Sequence, residues 1–271
     1  MASVLRVAHY RVLEHLGSGS GGDVYVAEDT RLRRKVALKL VHDASEEARR
    51  QLFQEAHYAS IVNHPNVVAV YDIGSEGAVS FVATEYVEGE SLRERLERGA
   101  LPVGEALDVA MSVGTALAAA HELWLVHRDV KPENVMIRHD RFVKVLDFGV
   151  ATLIAGAVPV DPLRERIEIA GTAAYLSPEQ IRGELVDNRS DVYSLGVVLY
   201  EMLTGSAPFH GEDVMELLAA IVEGDLPPLP DHLPAALQAI VRKALDKSVF
   251  TRYQTATDLV ADLRALRTRL A

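Results

Sequence analysis

Apolar and polar residues follow two different periods in the two parts of this chain. Up to about residue 86 the apolar residues form short runs that are typical of β-strands. The predicted strands cover residues 24–27, 36–41, 67–73 and 79–86. One helix is predicted among them, over residues 45–60, with Leu52, Ala56 and Ala59 on its apolar face. Glu55 lies on the same face, and a carboxylate that points inward requires a cationic partner.

The period becomes helical after Gly89. Helices are predicted over residues 91–98, 104–123, 190–204, 211–223, 234–246 and 256–270. A segment dense in polar motifs, residues 126–179, lies between the second and third of these helices. The order of elements predicts a small β-rich lobe, a short hinge near residues 85–88 and a larger helical lobe. A cleft between two lobes is a common place for a ligand.

Composition narrows the possible functions. The 271 residues are 49% hydrophobic and 25% charged, as in ordinary globular domains. The net charge of −11 repels phosphate backbones, so no nucleic-acid partner is expected. The absence of cysteine excludes a disulfide framework, a Cys-ligated zinc and a thiol nucleophile. No signal peptide and no membrane-spanning segment are predicted, because no apolar run reaches the required length.

The segment GSGSGGDV, residues 17–24, is rich in glycine. Gly17, Gly19, Gly22 and Val24 fit the pattern G-x-G-x-x-G-x-V, in which backbone N–H groups approach phosphate oxygens closely. By itself the pattern is equally typical of a flexible hairpin turn. A dinucleotide-binding fingerprint would require a helix next, and a β-prone run follows instead. The phosphate loop and the hairpin turn therefore both stay open.

A lysine and three polar residues in later motifs are the main candidates for chemistry. Strand alternation places Lys39 on one face with Ala37 and Val41, either as an exposed edge residue or as the cation that Glu55 requires. The motif HRDVKPEN places Asp129, Lys131 and Asn134 in one loop, and Asp147 follows thirteen residues after Asn134. Two carboxylates and a carboxamide suit a hard cation such as Mg²⁺. Short strands are predicted on both sides of this loop.

The motifs together resemble the eukaryotic-like protein kinase family. The glycine-rich loop, VALK, HRDVKPEN, DFG, GTAAYLSPE, SDVYSLG and Arg252 occur in the family's order over about residues 10–266. Phrases such as NHPNVVAVYDIG and RYQTATDL are most similar to the bacterial serine/threonine branch. The resemblance implies an α+β, two-lobed protein kinase fold in one catalytic domain, residues 1–271. It comprises a small antiparallel β-sheet N-lobe (about 10–84) with one mobile helix, a hinge (85–88) and a larger, mainly helical C-lobe (89–271).

The resemblance also implies ATP as the phosphoryl donor. Lys39 would hold the α- and β-phosphates and pair with Glu55 on the mobile helix. Asp129 would accept or orient the proton of the substrate hydroxyl, and Lys131 would neutralise the transferring group. Mg²⁺, or Mn²⁺ in its place, would be held by Asn134 and Asp147. Phosphoryl transfer requires alignment and positive charge on the phosphate oxygens rather than covalent catalysis.

Further ATP contacts follow from the same matching. The phosphates would lie against Gly17, Ser18, Gly19, Ser20, Gly21 and Gly22. Val24 and Ala37 would cover the adenine from one side, and Met136 and Leu146 from the other. Thr84 matches the gatekeeper position, while Glu85 and Val87 would offer backbone hydrogen bonds to adenine and Glu88 would reach the ribose.

Three structural roles and a residue preference are implied as well. Asp191 matches the residue that holds the backbone of the HRD motif, and Glu179 matches the partner of Arg252. Lys131 and the GTAAY segment, with Thr172 beside Asp129, imply transfer to serine and threonine. Ser177 replaces the usual alanine of the A-P-E triplet, and no function is attached to it.

The activation segment, residues 147–179, departs from the family pattern. Residues 154–170 contain no serine, threonine or tyrosine. In related kinases the arginine that matches Arg128 usually binds a phosphate on this segment. We hypothesise that Asp161, Glu165 or Glu168, or none of them, neutralises Arg128, so that activity does not require phosphorylation of the loop. The alternative is a loop that is disordered until substrate binds.

The implied partners are proteins with serine or threonine acceptors, and a homodimer is a further expectation. We expect a cytoplasmic location, for the chain alone or as the cytosolic domain of a longer membrane-anchored kinase. A pseudokinase that binds without turnover is the competing function, and loss of Lys39, Asp129, Asn134 or Asp147 would favour it. All four residues are present. A small-molecule kinase is a more distant alternative, because such enzymes generally lack the segment GTAAYLSPE.

Overall fold

The computed structural model describes residues 5–19, 22–42, 45–147, 152–153 and 173–270. Within these ranges the description omits six side chains, those of Glu47, Ala48, Gln51, Glu55, Thr152 and Leu153. The predicted contacts of Ser20, Gly21 and Thr172, and those of Asp161, Glu165 and Glu168, therefore lie outside the described residues. So does the predicted pairing of Glu55 with Lys39.

A six-stranded antiparallel sheet forms the N-terminal lobe. Its strands are β1 (Arg6–Val7), β2 (Tyr10–Gly19), β3 (Gly22–Asp29), β4 (Arg34–His42), β5 (Val70–Glu76) and β6 (Val79–Glu85). Their spatial order is β1-β2-β3-β4-β6-β5. On β4 the side chains of Val36, Leu38 and Leu40 are fully buried, whereas Ala37 and Lys39 on the opposite face are half-buried. The predicted alternation is confirmed.

One helix, α1 (Glu46–Ile61), packs on this sheet. Leu52 and Ala56 form a small apolar cluster with Val82 of β6, which confirms the predicted inward face of the helix. The predicted strand at residues 67–73 begins only at Val70. Val67 instead pairs with Val145 from the second part of the chain, and this pairing draws the start of the segment away from the sheet.

The second part of the chain is mainly helical. Its helices are α2 (Leu92–Leu96), α3 (Val103–Glu122), α4 (Pro178–Ile181), α5 (Asn188–Thr204), α6 (Val214–Glu223), α7 (Ala235–Ala244) and α8 (Ala256–Leu270). Short strands accompany them: β7 (Gly89–Ser91), β8 (Leu125–Val126), β9 (Val135–Arg138), β10 (Val143–Val145) and β11 (Thr152–Leu153). The six predicted helices are found within three residues of their predicted ends, and the short helix α4 is additional.

Helix α5 lies at the centre of this lobe. Asp187 caps its first turn, and Gly205 ends it in the left-handed conformation with φ 87°. Every residue from Ser190 to Leu203 is buried, so the helix has no solvent-facing side. Gly196 lets α7 approach closely, because a Cβ at this position would lie 3.0 Å from the Cβ of Ala244.

Helix α3 packs against both α5 and α8. It is also long and apolar enough to cross a membrane by length and composition, which the sequence analysis did not predict. It is the one helix with this property in the part of the chain that the structure describes. Core helices of globular domains have the same composition, and half of its most apolar window is buried inside the protein.

Candidate active site

The polar residues of the HRDVKPEN motif converge in one loop between β8 and β9. Lys131 Nζ lies 2.9 Å from Asp129 Oδ2. Asn134 Nδ2 donates to the same oxygen at 3.1 Å and to the backbone carbonyl of Asp129 at 2.9 Å. Asn134 is buried, whereas Asp129 and Lys131 are partly exposed. The sequence prediction that these three residues share one site is thus matched by their geometry.

The backbone of this loop is held from helix α5. Asp191 is fully buried, and its carboxylate accepts from the N–H groups of His127 and Arg128, both at 2.8 Å. His121 Nε2 donates to the same carboxylate at 2.8 Å. Burial opposes ionisation of Asp191, yet these donors hold its pKa below the ordinary value. The role that the family resemblance implied for Asp191 is confirmed.

His127 connects the loop to the segment that carries Asp147. Its Nδ1 accepts from the N–H of Asp129 at 3.2 Å, so the ring hydrogen is assigned to Nε2. Nε2 then donates to the carbonyl of Leu146 at 3.0 Å, and the N–H of Leu146 donates to the carbonyl of Asn134 at 2.8 Å. Asp147 follows directly, exposed and with φ 43°. These bonds hold the backbone that directly precedes Asp147 against Asn134.

The face of the sheet that carries Lys39 is only partly covered. Lys39 pairs in register with Val24 of β3 and Val82 of β6, and Ala37 pairs with Thr84. Directly opposed residues point to the same side of a sheet, so these side chains share one face. Val82 is buried under α1, whereas Val24, Ala37, Lys39 and Thr84 stay half-buried. The open part of this face is a surface on which a planar ring can lie.

The glycine-rich segment forms the hairpin of β2 and β3. Gly22 has φ 110°, and a Cβ there would lie 2.2 Å from the carbonyl oxygen of Leu40, so only glycine fits. Gly17 has no heavy atom within 4 Å of the corresponding Cβ position. Ser18 donates to Asp23 at 2.5 Å across the hairpin. Among the described residues the strands on both sides of this turn form a hairpin, and open space lies beside Gly17.

The segment predicted as a hinge, residues 85–88, connects the end of β6 at Glu85 to the start of β7 at Gly89. The N–H of Glu85 donates to the carbonyl of Ala69 at 2.8 Å, so a ligand would find only its carbonyl. Val87 is buried and Glu88 is exposed. Met136 and Leu146, from β9 and just after β10, are half-buried.

The ion pair expected between Glu179 and Arg252 is present and almost fully buried. The guanidinium contacts both carboxylate oxygens, at 2.7 and 3.1 Å. Ser190 adds a hydrogen bond of 2.6 Å. Burial raises the pKa of Glu179, but the donation from Arg252 outweighs it and leaves the pKa below the ordinary value.

Two interactions near the site were not predicted from the sequence. Ser177 is the N-cap of α4, and its hydroxyl accepts from the N–H of Gln180 while the Gln180 side chain accepts from the N–H of Ser177. The signal was available, since S-x-x-Q is a capping-box pattern. Lys144 also forms an ion pair with Glu85, at 2.7 Å. No sequence motif around either residue predicts this pair.

Fold and site together define a protein kinase domain. Residues 10–262 match the family described as protein kinase domain, so the chain belongs to the protein kinase family. It is 38% identical over 94% of its length to the serine/threonine-protein kinase PrkC of Bacillus subtilis, covering 40% of that protein. It is 42% identical over 94% of its length to the serine/threonine-protein kinase PknB of Mycobacterium tuberculosis, covering 42% of that protein. The predicted bacterial serine/threonine branch is confirmed.

A third similar protein is a probable serine/threonine-protein kinase of Clostridium perfringens, CPE1738, 37% identical over 95% of this chain and 38% of its own length. The chain spans about two fifths of the length of the curated relatives it matches. Family membership implies the use of ATP and a divalent metal ion.

Proposed function

We propose that this domain is an active protein serine/threonine kinase that transfers the γ-phosphoryl group of ATP to serine or threonine hydroxyls of proteins. The observation that supports this most is the convergence of Asp129, Lys131 and Asn134, with Lys131 Nζ 2.9 Å and Asn134 Nδ2 3.1 Å from one oxygen of Asp129. A carboxylate held in this way has a fixed direction, which a pure binding module does not need.

In the proposed reaction the substrate oxygen attacks the γ-phosphorus. The bond from that phosphorus to the β–γ bridging oxygen breaks, and ADP leaves. The hydroxyl proton goes to Oδ1 of Asp129, while Oδ2 stays hydrogen-bonded to Lys131 and Asn134. Lys131 then offsets negative charge on the transferring group, and Lys39 does the same at the α- and β-phosphates.

The residues present suit Mg²⁺, with Mn²⁺ as an alternative. The amide nitrogen of Asn134 is used by Asp129, which leaves its oxygen Oδ1 for a metal ion. Asp147 adds an exposed carboxylate nearby. Mg²⁺ characteristically binds through one or two protein oxygens together with substrate phosphates and water. When bound, it would shield the phosphate charge. Within the described residues no group of three or more His, Asp or Glu side chains offers another metal site.

The remaining expected contacts belong to the same proposal. The glycine hairpin from Gly17 to Gly22 would lie over the phosphates. Val24 and Ala37 on one side, with Met136 and Leu146 on the other, would enclose the adenine. The carbonyl of Glu85 and the N–H of Val87 would bond its edge, next to Thr84. Lys39 would pair with Glu55. A cytoplasmic location and a homodimer remain predictions.

The test is incubation with labelled ATP and Mg²⁺ on a model basic protein, followed by mapping of phosphorylated residues. The wild-type domain should label serine and threonine but not tyrosine. Asp129→Asn should lower kcat by roughly 10² to 10⁴. If Asp129→Asn retained near-normal transfer, the assigned mechanism would be wrong. A wild-type domain that binds ATP without turnover would instead favour the pseudokinase.

A further inference from the structure

The side chain of Gln180 connects helix α4 to the catalytic loop. Gln180 is 3% exposed, and its Nε2 donates to the backbone carbonyl of Arg128 at 3.1 Å. Its Oε1 accepts from the N–H and the hydroxyl of Ser177, at 3.0 and 3.1 Å. Because two donors face Oε1 and an acceptor faces Nε2, the orientation of the amide group is determined.

Gln180 extends from an element that is itself fixed. Its neighbour Glu179 is bonded to Arg252 and Ser190 inside the protein. The capping box with Ser177, which is completely buried, fixes the first turn of the helix. The amide of Gln180 therefore has little freedom to move relative to helix α5.

Arg128 is the residue that needs this support. Its φ of 64° lies in the left-handed region, which is disfavoured for a residue with a Cβ. The N–H of Arg128 is held by Asp191 at 2.8 Å, and its carbonyl is held by Gln180. Asp129 follows directly. The peptide groups on both sides of the strained residue are thus anchored, one by α5 and one by α4.

We propose that Gln180 is a positioning residue for phosphoryl transfer. It holds the peptide group between Arg128 and Asp129, and thereby sets the direction of the Asp129 carboxylate. It need not touch ATP or substrate to do so. This inference rests on the proposed function, since it concerns the alignment of Asp129, and it assigns to α4 a part in the chemical step beyond anchoring the end of the activation segment.

The substitution Gln180→Glu separates the two roles of this side chain. Glutamate is an ordinary capping-box residue, so the bond from Ser177 and the start of α4 are kept. The donor to the Arg128 carbonyl is lost. We expect kcat to fall about tenfold at pH 8, while the KM for ATP stays within twofold and the Tm changes little. A role confined to capping would leave kcat unchanged.

The pH dependence of the variant gives an independent readout. Burial and the facing carbonyl oxygen of Arg128 favour the protonated form of the introduced carboxyl, whereas the N–H and the hydroxyl of Ser177 favour its ionised form. Once protonated, its O–H donates to Arg128 in place of the amide. The ratio of wild-type to variant kcat should therefore shrink as the pH falls from 8 to 6. A constant ratio would contradict the proposed hydrogen bond.

Ser177→Ala is the matched control. It removes the capping hydroxyl but leaves both the N–H of residue 177 and the Gln180 donor, so it should lower the Tm while kcat stays within twofold. The proposal is overturned if Gln180→Glu keeps kcat within twofold of wild type at every pH, or if kcat and Tm fall in parallel in both variants.

Hydrogen–deuterium exchange distinguishes this proposal from the proposed function. A peptide that covers residues 126–134 should exchange faster in Gln180→Glu than in wild type, whether or not the domain turns over. Equal exchange would contradict the positioning role. If the wild-type domain were inactive but the variant still exchanged faster, the proposed kinase activity would be wrong. The structural connection between Gln180 and the loop would then still hold.

Discussion

Lys144 and Glu85 form an ion pair across the junction of the two lobes, with Nζ 2.7 Å from Oε2. The same ammonium donates to the carbonyl of Val67 at 3.2 Å, and Asn66 donates to the carbonyl of Val143 at 2.7 Å. Lys144 is 9% exposed, so water competes little for these bonds. The side chains of Lys144 and Asn66 therefore stabilise the segment next to residues 85–87, whose backbone is expected to contact adenine.

Replacing this lysine should loosen the junction. Lys144→Met removes the donor to the carbonyl of Val67 and leaves Glu85 with only the long bond of 3.4 Å from the N–H of Ala69. We expect a loss of about 1–3 kcal/mol in the free energy of unfolding. Urea denaturation measures it. A double-mutant cycle with Glu85→Gln should give a coupling of at least about 0.5 kcal/mol. Additive effects of the two substitutions would show that the pair contributes no mutual stabilisation.

Lys39→Met should remove activity and keep the fold. The methionine retains the half-buried stem but not the ammonium that would hold the phosphates, so kcat should fall by roughly 10² or more. The melting temperature should change by only a few degrees. Lys35→Met is the matched control, since Lys35 is exposed on the same strand and should keep its activity. Equal activities of the two variants would contradict the role of Lys39.

Asp191→Asn should damage both stability and turnover. The introduced NH₂ group would face donors from His121, His127 and Arg128, which now share one carboxylate. Loss of a buried, fully bonded charge should cost about 3 kcal/mol or more in urea unfolding. Asp187→Asn, a change between two good N-caps on the same helix, should cost less than about 1 kcal/mol. Similar costs would argue against Asp191 as the support of the loop.

Stability should fall in acid, in part through Glu179. Its pKa is depressed in the folded state, so its contribution is present above the ordinary carboxyl pKa of about 4 and is lost as the pH falls through the folded value. Glu179→Gln should therefore be less stable at pH 7 and show a flatter decline below about pH 4. Asp140→Asn, in an exposed pair with Arg138, should change stability little. A slope that Glu179→Gln leaves unchanged would contradict this assignment.

Phosphatase treatment should leave most of the activity intact. No hydroxyl side chain occurs between residues 154 and 170, so the segment offers no acceptor in the usual region. Activity on a model protein is compared before and after treatment, with mass spectrometry to confirm that phosphate has been removed. A loss of most activity would reject activation without loop phosphorylation.

Sequence reasoning predicted correctly that the polar residues of one short motif lie close together. Asp129, Lys131 and Asn134 are close in sequence, so their proximity in space follows from a single loop. The helices were placed well because buried residues recur at a helical period over long stretches. Strand β2 was not predicted, because most of its residues are exposed and no apolar alternation marks it.

Contacts between residues far apart in the chain could not be predicted from the residues alone, without the resemblance to the protein kinase family. Lys144 and Glu85 are 59 positions apart, and neither stands in a pattern that marks it as buried. Gln180 and Arg128 are 52 positions apart, and their bond runs from a side chain to a backbone atom, which leaves no pairing of residue types to detect. Val67 was assigned to a strand because its neighbours are apolar, but its partner lies in β10.

Helix α5 is buried on every side, and its Asp191 holds the backbone of the loop that carries Asp129. The conformation of this loop is therefore as stable as the packing of the helix. Freeing Asp191 requires α5 to separate from its neighbours, which is close to unfolding the whole lobe, whereas exposed loops open at small energetic cost. The amide hydrogens of this helix should be among the slowest in the protein to exchange with solvent. We therefore expect the loop that carries Asp129 to keep its conformation while more exposed parts of the domain open and close.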